Sequence, residues 1–213
     1  MSPGSQRAGK GFTLVELMIT LAVSAIALAL AVPSWENAVQ KRQVTSAAEQ
    51  VASFLAYTQG QAIKSHQEIT VTVTRNSAGT AWCVGSIDET AKAANALDHC
   101  ECDVADGNTA QCAIDGQVAR ITHEGFEKFT MSGSQVGGSN NPDFNFKFDP
   151  VRGLKVKNGG INDGEVDGNT HEITLASSNG KWSLQVDVSV TGRVNICNPD
   201  SSKKVPGFDL CDG

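Results

Sequence analysis

Apolar residues fill the chain from position 12 to position 32, where the sequence reads FTLVELMITLAVSAIALALAV and Glu16 carries the only charge. A run of this length is typical of a helix that crosses the hydrocarbon core of a membrane. Beyond it, apolar residues recur every three to five positions, which predicts an amphipathic helix over 33–64. We therefore expect one long helix whose first half spans a membrane and whose second half packs on a head domain.

The pattern changes after residue 65, where apolar and polar residues begin to alternate. Residues 68–74 read EITVTVT, a strict alternation that predicts a half-buried strand. Similar short segments predict further strands at 80–85, 117–123, 126–131, 144–148, 153–157, 170–176, 181–189 and 193–197. Residues 86–116 are acidic, rich in cysteine and poorly periodic, which indicates a disulfide-tied loop. The sequence thus predicts an α+β fold in which a long N-terminal helix packs on an antiparallel β head formed by residues 65–213.

Composition and charge narrow the class of protein. The formal net charge is −6, so bulk charge does not favour coating of DNA or anionic lipid. Six cysteines, an even number, indicate disulfides in an oxidising compartment. Arg7 and Lys10 precede the apolar run, which orients the N-terminus towards the cytoplasm and the head towards the outside. A secretory signal peptide cleaved after Ala31 is the alternative, although the apolar run is long for one.

The residues around Glu16 carry a resemblance to a known family. The segment GFTLVELM, which begins at Gly11, resembles the cleavage and N-terminal motif of type IV pilins and of the pseudopilins of type II secretion. The resemblance implies a leader peptide over 1–11, cleavage by a prepilin peptidase between Gly11 and Phe12, and N-methylation of Phe12. It also implies that Glu16 pairs with the terminal ammonium of Phe12 on a neighbouring subunit, which would offset the cost of burying both charges.

Two further segments resemble one branch of that family. FKFDPVRGLKV is similar to the F-D-P-x-G hairpin of the GspH/FimT/FimU branch, with one extra residue before the glycine, and VDVSVTGRVNIC is similar to its C-terminal strand pair. The order of elements is most similar to FimU-like subunits. The resemblance implies a type IV pilin fold and a minor pilin that primes or caps pilus assembly. The alternative that it leaves open is a GspH-like pseudopilin of type II secretion.

The same resemblance implies where the protein is found and what it contacts. We expect a helix anchored in the inner membrane with the head in the periplasm, and later a place in the pilus, at its tip. The expected partners are other minor pilins, the major pilin and the prepilin peptidase. The sequence contains no nucleophile, phosphate-binding or dinucleotide motif, so we expect neither an enzyme nor a cofactor.

The cysteines fall into two groups. Cys197 and Cys211 enclose a short segment with two prolines, and we predict that they form a disulfide. Four others, Cys83, Cys100, Cys102 and Cys112, allow three pairings, of which a bond between Cys100 and Cys102 has poor geometry. A zinc site that also uses His99 is the alternative, but the spacing is not that of a C-x₂-C site.

Two weaker hypotheses concern ions and nucleic acid. Asp163, Glu165 and Asp167 alternate before a glycine like the first half of a calcium loop, although the closing acidic residue is missing and a solvated turn fits as well. The C-terminal segment carries three cations, Arg193, Lys203 and Lys204. The FimT subgroup uses a G-R-x-R motif on this hairpin for DNA uptake, but Asn195 stands here where that motif has its second arginine. DNA is therefore a partner that the sequence does not favour.

Overall fold

The computed structural model describes residues 11–95, 97–102, 112–124, 126, 129–137, 139–141, 143–159 and 163–211, without the side chains of residues 30–34 and 133–136. Apart from Gly11, the predicted leader peptide lies outside the described residues, as do residues 103–111 of the predicted loop. The chain divides into two compact units, Met1–Val39 and Gln40–Gly213.

One helix, α1 (Leu14–Ser65), accounts for the whole N-terminal part of the described chain. Its C-terminus is closed by His66, which adopts a left-handed φ of 55°. The amide of Gln67 then donates a hydrogen bond of 3.3 Å to the carbonyl of Ala62. This is the Schellman arrangement that satisfies the last carbonyls of a helix, with histidine in the position that glycine usually takes. The predicted helix over 12–64 is therefore present with nearly the same bounds.

Within the first unit, the described chain is helical from Leu14 to Val39, and the large apolar side chains of residues 12–29 are exposed. Phe12 is 86% exposed and Trp35 is 71% exposed. Trp35 lies within the predicted amphipathic half over 33–64 but not on its buried face, which begins only in the second unit. Within the described residues, no helix has both the length and the apolarity that crossing a membrane requires.

In the second unit, the helix buries one face. The residues on this face recur every three or four positions and are almost inaccessible to solvent: Val44, Ala47, Ala48, Val51, Leu55, Thr58 and Ala62. Thr58, the polar member, bonds within the helix to the Phe54 carbonyl and across to the Ser86 hydroxyl at 3.1 Å. The periodicity of the sequence therefore places this face on the head, as predicted.

In the part of the head that the structure describes, twelve strands and a short second helix follow α1. In chain order they are β1 (Ile69–Arg75), β2 (Trp82–Asp88), α2 (Glu89–Asn95), β3 (Ala113–Ile114), β4 (Gln117–Val118), β5 (Arg120–Thr122), β6 (Phe129–Val136), β7 (Ser139–Asn140), β8 (Asp143–Phe148), β9 (Lys155–Val156), β10 (His171–Ser177), β11 (Ser183–Val188) and β12 (Val194–Cys197). A 3₁₀ turn, Ser201–Lys203, follows.

These strands form two five-stranded antiparallel sheets and one hairpin. The strand order is β5-β2-β1-β8-β9 in the first sheet and β12-β11-β10-β6-β7 in the second, while β3 pairs with β4. The buried apolar residues of α1 and of both sheets form one core that contains Leu55, Val71, Phe146 and Leu184. The predicted α+β class, with a helix packed on antiparallel sheets, is confirmed.

The predicted loop over 86–116 contains regular structure, which corrects that prediction. Strand β2 extends to Asp88, and α2 follows it directly. The carboxylate of Asp88 accepts hydrogen bonds from the amides of Ala91 (2.7 Å) and Asp115 (2.8 Å). Asp88 thereby caps α2 and holds the segment around β3, because a side-chain oxygen satisfies an amide that the first turn leaves unpaired.

Candidate assembly site

The first turn of α1 is fixed by a reciprocal pair of hydrogen bonds between Thr13 and Glu16. The Glu16 amide donates to Thr13 Oγ1 at 3.2 Å, and the Glu16 carboxylate accepts from the Thr13 amide at 3.0 Å and from its hydroxyl at 3.1 Å. This arrangement is a capping box, which satisfies helix-terminal amides from both sides. The T-x-x-E spacing that is typical of a capping box is visible in the sequence at Thr13 and Glu16.

The predicted pairing of Glu16 with the ammonium of Phe12 requires cleavage of the peptide bond between Gly11 and Phe12. In the uncleaved chain the nitrogen of Phe12 belongs to the peptide bond with Gly11, so it carries no charge. Cleavage after Gly11 would create the ammonium one residue before the capping box. Glu16 would then offer a carboxylate that is already oriented towards the start of the helix, within reach of an incoming terminal amine.

The helix around this carboxylate is apolar on all sides. Its exposed side chains include Leu14, Val15, Leu17, Met18, Ile19, Leu21, Val23, Ile26 and Leu28. A helix with a single apolar stripe covers that stripe with its own domain, whereas one that is apolar all round is buried among other elements. A surface of this kind is suited to packing against other apolar helices.

At the other end of α1, the structure brings two of the motif segments together. Gly153, from the FDPVRG segment, and Gly192, from the TGR segment, both lie against Gln59 of α1. Both glycines have a positive φ, 66° and 77° respectively. A Cβ on Gly192 would lie 2.3 Å from the Gly153 carbonyl oxygen, so the two turns touch through backbone that has no room for a side chain.

The FDPVRG turn is organised by Asp149. Its carboxylate accepts hydrogen bonds from the amides of Val151 (2.9 Å) and Arg152 (2.7 Å), and its carbonyl accepts one from Gly153. The backbone hydrogen bond from Arg152 is the main reason that the pKa of Asp149 lies below its usual range. The exposed side chain of Arg152 faces the same carboxylate, with its guanidinium 3.6 Å from Asp149 Oδ2, so the turn is held by backbone hydrogen bonds and by an ion pair.

The cysteines form three disulfides. Cys83 pairs with Cys102, Cys100 with Cys112, and Cys197 with Cys211. Two sets of metal-ligand atoms come close together in the described chain, Cys100 with Cys102 and Cys112, and Asp187 with Cys197 and Cys211. All their cysteines are in disulfides and offer no thiolate, which removes the basis for the zinc alternative with His99.

The C-terminal disulfide loop is organised by a buried residue that sequence reasoning missed. The side-chain amide of Asn198 donates to the carbonyls of Val205, Phe208 and Asp209, and its oxygen accepts from the Val205 amide at 2.6 Å. The Asn198 backbone also pairs with Asp209 and Cys211. One side chain therefore ties both ends of the loop that the disulfide closes.

The three acidic residues of the predicted half calcium loop each face a different lysine. Asp163 lies 2.9 Å from Lys147, Glu165 lies 3.3 Å from Lys157, and Asp167 lies 3.6 Å from Lys155. Lysine ammonium groups already balance the negative charge that would attract a cation. The geometry therefore supports a set of ion pairs in place of a calcium site.

The three cations proposed for DNA contact are exposed but lie at different places. Arg193 directly precedes β12, while Lys203 and Lys204 follow its far end, in and after the 3₁₀ turn. Asn195 pairs with Asp187 of the adjacent strand, which places a carboxylate beside this edge of the sheet. The three cations therefore do not form a continuous basic stripe that could bind DNA despite the overall negative charge of the chain.

The long helix starts at a motif of the kind that prepilin peptidases cleave, and its second half packs on two antiparallel sheets. This combination defines a subunit of the pilin class. Residues 6–32 match the prokaryotic N-terminal methylation motif, in agreement with the resemblance around Gly11. Residues 47–192 match the family described as Type II transport protein GspH, and the chain belongs to this family. It is a minor type IV pilin or pseudopilin, a structural subunit and not an enzyme.

Individual relatives are similar over shorter stretches. An uncharacterized protein of Haemophilus influenzae is 37% identical over 75 residues, which cover 35% of this chain and 44% of that protein. A fimbrial protein of Pseudomonas aeruginosa is 43% identical over 47 residues, which cover 22% of this chain and 30% of that protein. The chain thus spans less than half the length of these curated relatives. The crystal structure of the type IV minor pilin FimU of P. aeruginosa superposes with a TM-score of 0.39 at 14% identity, over 78% of this chain and 95% of that chain.

Proposed function

We propose that this chain is a minor type IV pilin that primes or caps pilus assembly with other minor pilins and the major pilin. The observation that carries the proposal is the N-terminal segment, in which a methylation motif leads into a helix with exposed apolar residues on every side. Such a helix is covered when it packs in a bundle of like helices. The similarity to a fimbrial protein supports a pilus as the site of that bundle.

In this proposal, prepilin peptidase cleaves between Gly11 and Phe12 and releases the leader over 1–11. The precursor is held at the inner membrane with its head in the periplasm, and the processed subunit then enters the pilus. The Glu16 carboxylate forms a salt bridge with the Phe12 ammonium of a neighbouring subunit, and this salt bridge sets the axial register of the helices. Buried opposite charges favour this one register, because a mismatched register leaves a charge unpaired in apolar surroundings.

The test is peptide mass spectrometry of sheared surface pili from the native host. We expect a substoichiometric peptide that begins at N-methylated Phe12. In the same host, Glu16→Val should be processed but absent from the pili. Glu49→Val, at an exposed position in the second half of α1, is the matched control and should be incorporated normally. Normal incorporation of Glu16→Val would show that the charge pair has no role in assembly.

The family description favours one second candidate, a pseudopilin of type II secretion. Both candidates share the helix chemistry and differ in the filament that takes up the subunit. Deletion of the gene separates them. Loss of surface pili with normal protein secretion supports the minor pilin, whereas normal pili with a secretion defect supports the pseudopilin.

A further inference from the structure

A buried triad of charged and polar side chains lies between the two sheets. Lys155 of β9 is 0% exposed, His171 of β10 is 2% exposed, and Asp167 is 5% exposed. Lys155 Nζ lies 2.6 Å from His171 Nδ1 and 3.6 Å from Asp167 Oδ2, and His171 Nε2 lies 3.5 Å from that same carboxylate oxygen. Each of the three side chains therefore faces the other two.

The backbone holds the lysine and the aspartate opposite each other. The Asp167 amide donates to the Lys155 carbonyl at 3.0 Å, beside the bridge between Val156 and Val166. Residues paired in this way have their side chains on the same face of the ladder. The amine and the carboxylate thus remain close for as long as the head stays folded.

The surroundings are apolar and aromatic. The ring of Phe146 lies 5.8 Å from Lys155 Nζ, and the rings of Phe144 and Phe146 each lie 4.8 Å from the ring of His171. Burial lowers the pKa of Lys155 to about 8, despite the opposing charge of Asp167. Burial, together with the charge of Lys155, also lowers the pKa of His171 to about 4. The imidazole is therefore neutral and able to accept a proton at Nδ1.

We propose that Lys155 and Asp167 become joined by an intramolecular isopeptide bond, with His171 as the proton-transfer group. His171 Nδ1 takes a proton from the Lys155 ammonium, and His171 Nε2 gives a proton to the Asp167 carboxylate. The neutral Nζ attacks Cγ of the protonated carboxyl group, a C–N bond forms, one C–O bond breaks, and one of the two Nζ protons passes to the departing hydroxyl, which leaves as water. Ammonium and carboxylate become an amide and one water molecule, so no oxidant or co-reactant is needed.

The geometry supplies what this reaction requires. Two reactants held in contact in a folded protein gain a large effective concentration, which can offset the unfavourable condensation in water. Asp167 and His171 also line an open cleft of about 390 Å³ together with Asn145 and Asn169, through which the released water can leave. The bond would close the loop over 156–166 covalently and secure β9 next to the Gly153 turn.

Lys147 provides an internal comparison. It too is almost fully buried, and its Nζ lies 2.9 Å from both Glu68 and Asp163, closer than Lys155 lies to Asp167. Those carboxylates are partly exposed, and the structure gives no histidine contact at this lysine among the described residues. Lys147 should therefore stay a simple ion pair, which makes it a control within the same chain.

The experiment is intact-mass and tandem mass spectrometry of the full-length chain purified from its host under denaturing conditions. We expect the wild-type mass to fall short of the processed, disulfide-bonded sequence by one water molecule, and the fragments to join Lys155 to Asp167. Asp167→Ala should lack this deficit, and cleavage by trypsin after Lys147 should be normal in both chains. A wild-type chain of full mass, cleaved by trypsin after Lys155, would overturn the proposal.

The role of His171 has a separate readout. His171→Gln retains a polar side chain, and the fraction of linked chain should fall at least tenfold at a fixed time after synthesis, while far-UV circular dichroism stays the same. If His171→Gln forms the link as completely and as fast as the wild type, His171 is not the proton-transfer group. If the circular dichroism of His171→Gln differs from that of the wild type, Phe144→Leu serves as a second control, because it alters the packing around His171 and keeps the imidazole. A loss of linkage in Phe144→Leu equal to that in His171→Gln would also contradict the role of His171.

Discussion

Gln59 Nε2 donates a hydrogen bond of 2.7 Å to the carbonyl oxygen of Gly153, across 94 residues of sequence. This bond links the outer side of α1 to the FDPVRG turn of the first sheet. The second sheet joins at the same place, because the Lys155 amide donates to the Val190 carbonyl at 3.2 Å and Gly192 packs against Gln59. Helix α1 and both sheets therefore meet around the Gly153 turn.

Gly192→Ala should destabilise the head strongly. A Cβ at this position would lie 2.3 Å from the Gly153 carbonyl oxygen and 2.4 Å from Gln59 Nε2, and φ is 77°. The left-handed backbone costs about 1–2 kcal/mol with a side chain, and overpacking costs about 1–3 kcal/mol more. We expect urea denaturation to show a loss of about 2–5 kcal/mol, the sum of the two contributions.

The matched control is Gly180→Ala. Gly180 has a similar φ of 68°, but a Cβ there would meet nothing within 4 Å. This variant should lose only the backbone contribution, about 1–2 kcal/mol. An equal loss of unfolding free energy in the two variants would show that the close approach of the two turns does not contribute to stability.

Gly85→Ala should disturb disulfide pairing. Gly85 lies on β2 beneath two disulfides, and an added Cβ would be 2.5 Å from Cys100 Sγ and 2.9 Å from Cys102 Sγ. The two bridges need this space in order to form side by side. Peptide mapping without reduction should find a lower yield of native pairs Cys83–Cys102 and Cys100–Cys112. Gly60→Ala, where a Cβ meets nothing within 4 Å, should keep native pairing; an unchanged yield in Gly85→Ala would refute the prediction.

Local patterns in the sequence account for most of the fold. The alternation in β10 appears directly as alternating burial from His171 to Ser177, and the spacing of Val44, Val51 and Leu55 gives the buried face of α1. These elements were predictable because each depends on residues close in sequence. The strand predicted over 153–157 shrinks to Lys155–Val156, because Gly153 and Leu154 complete the preceding turn.

Features that depend on distant residues were not predictable in the same way. The choice among the cysteine pairings depends on how β2 and the segment after α2 meet in space. Asn198 stands out in the sequence only as a polar residue after a cysteine, yet its position makes it the centre of a hydrogen-bond network. Nothing in the sequence around Lys155 distinguishes it from a surface lysine, because its burial depends on the packing of the two sheets.

Asn198→Ala should weaken the C-terminal loop while leaving the disulfide chemically possible. The substitution leaves buried carbonyls and the Val205 amide without their partner, and each such group costs about 1–3 kcal/mol. We expect a loss of about 2–4 kcal/mol in urea denaturation and faster reduction of Cys197–Cys211 by dithiothreitol. Asn195→Ala, at an exposed position of β12, is the control and should change neither quantity. Wild-type reduction kinetics in Asn198→Ala would argue against the organising role.

Two carboxylates face each other across β10 and β11, and they predict how stability depends on pH. Glu172 pairs directly with Asp187 in the strand register. Burial raises the pKa of Asp187, while burial and the charge of Asp187 raise the pKa of Glu172. A group whose pKa is higher in the folded state than in the unfolded state stabilises the fold when protonated, and this contribution is lost as pH rises through the folded pKa.

Asp187→Asn should therefore be more stable than the wild type at pH 7, by about 0.5 kcal/mol, because it removes a cross-strand repulsion between like charges. Its side-chain oxygen can still accept the hydrogen bond of 2.8 Å from Gln185. The advantage should shrink as pH falls through the folded pKa values and disappear near pH 3, where the wild-type carboxylates are mostly protonated in both states. Thermal denaturation at pH 7 and pH 3 measures both effects, with Glu49→Gln on the exposed side of α1 as the control. If Asp187→Asn were less stable than the wild type at pH 7, the cross-strand pair would be held by a favourable contact that outweighs the repulsion.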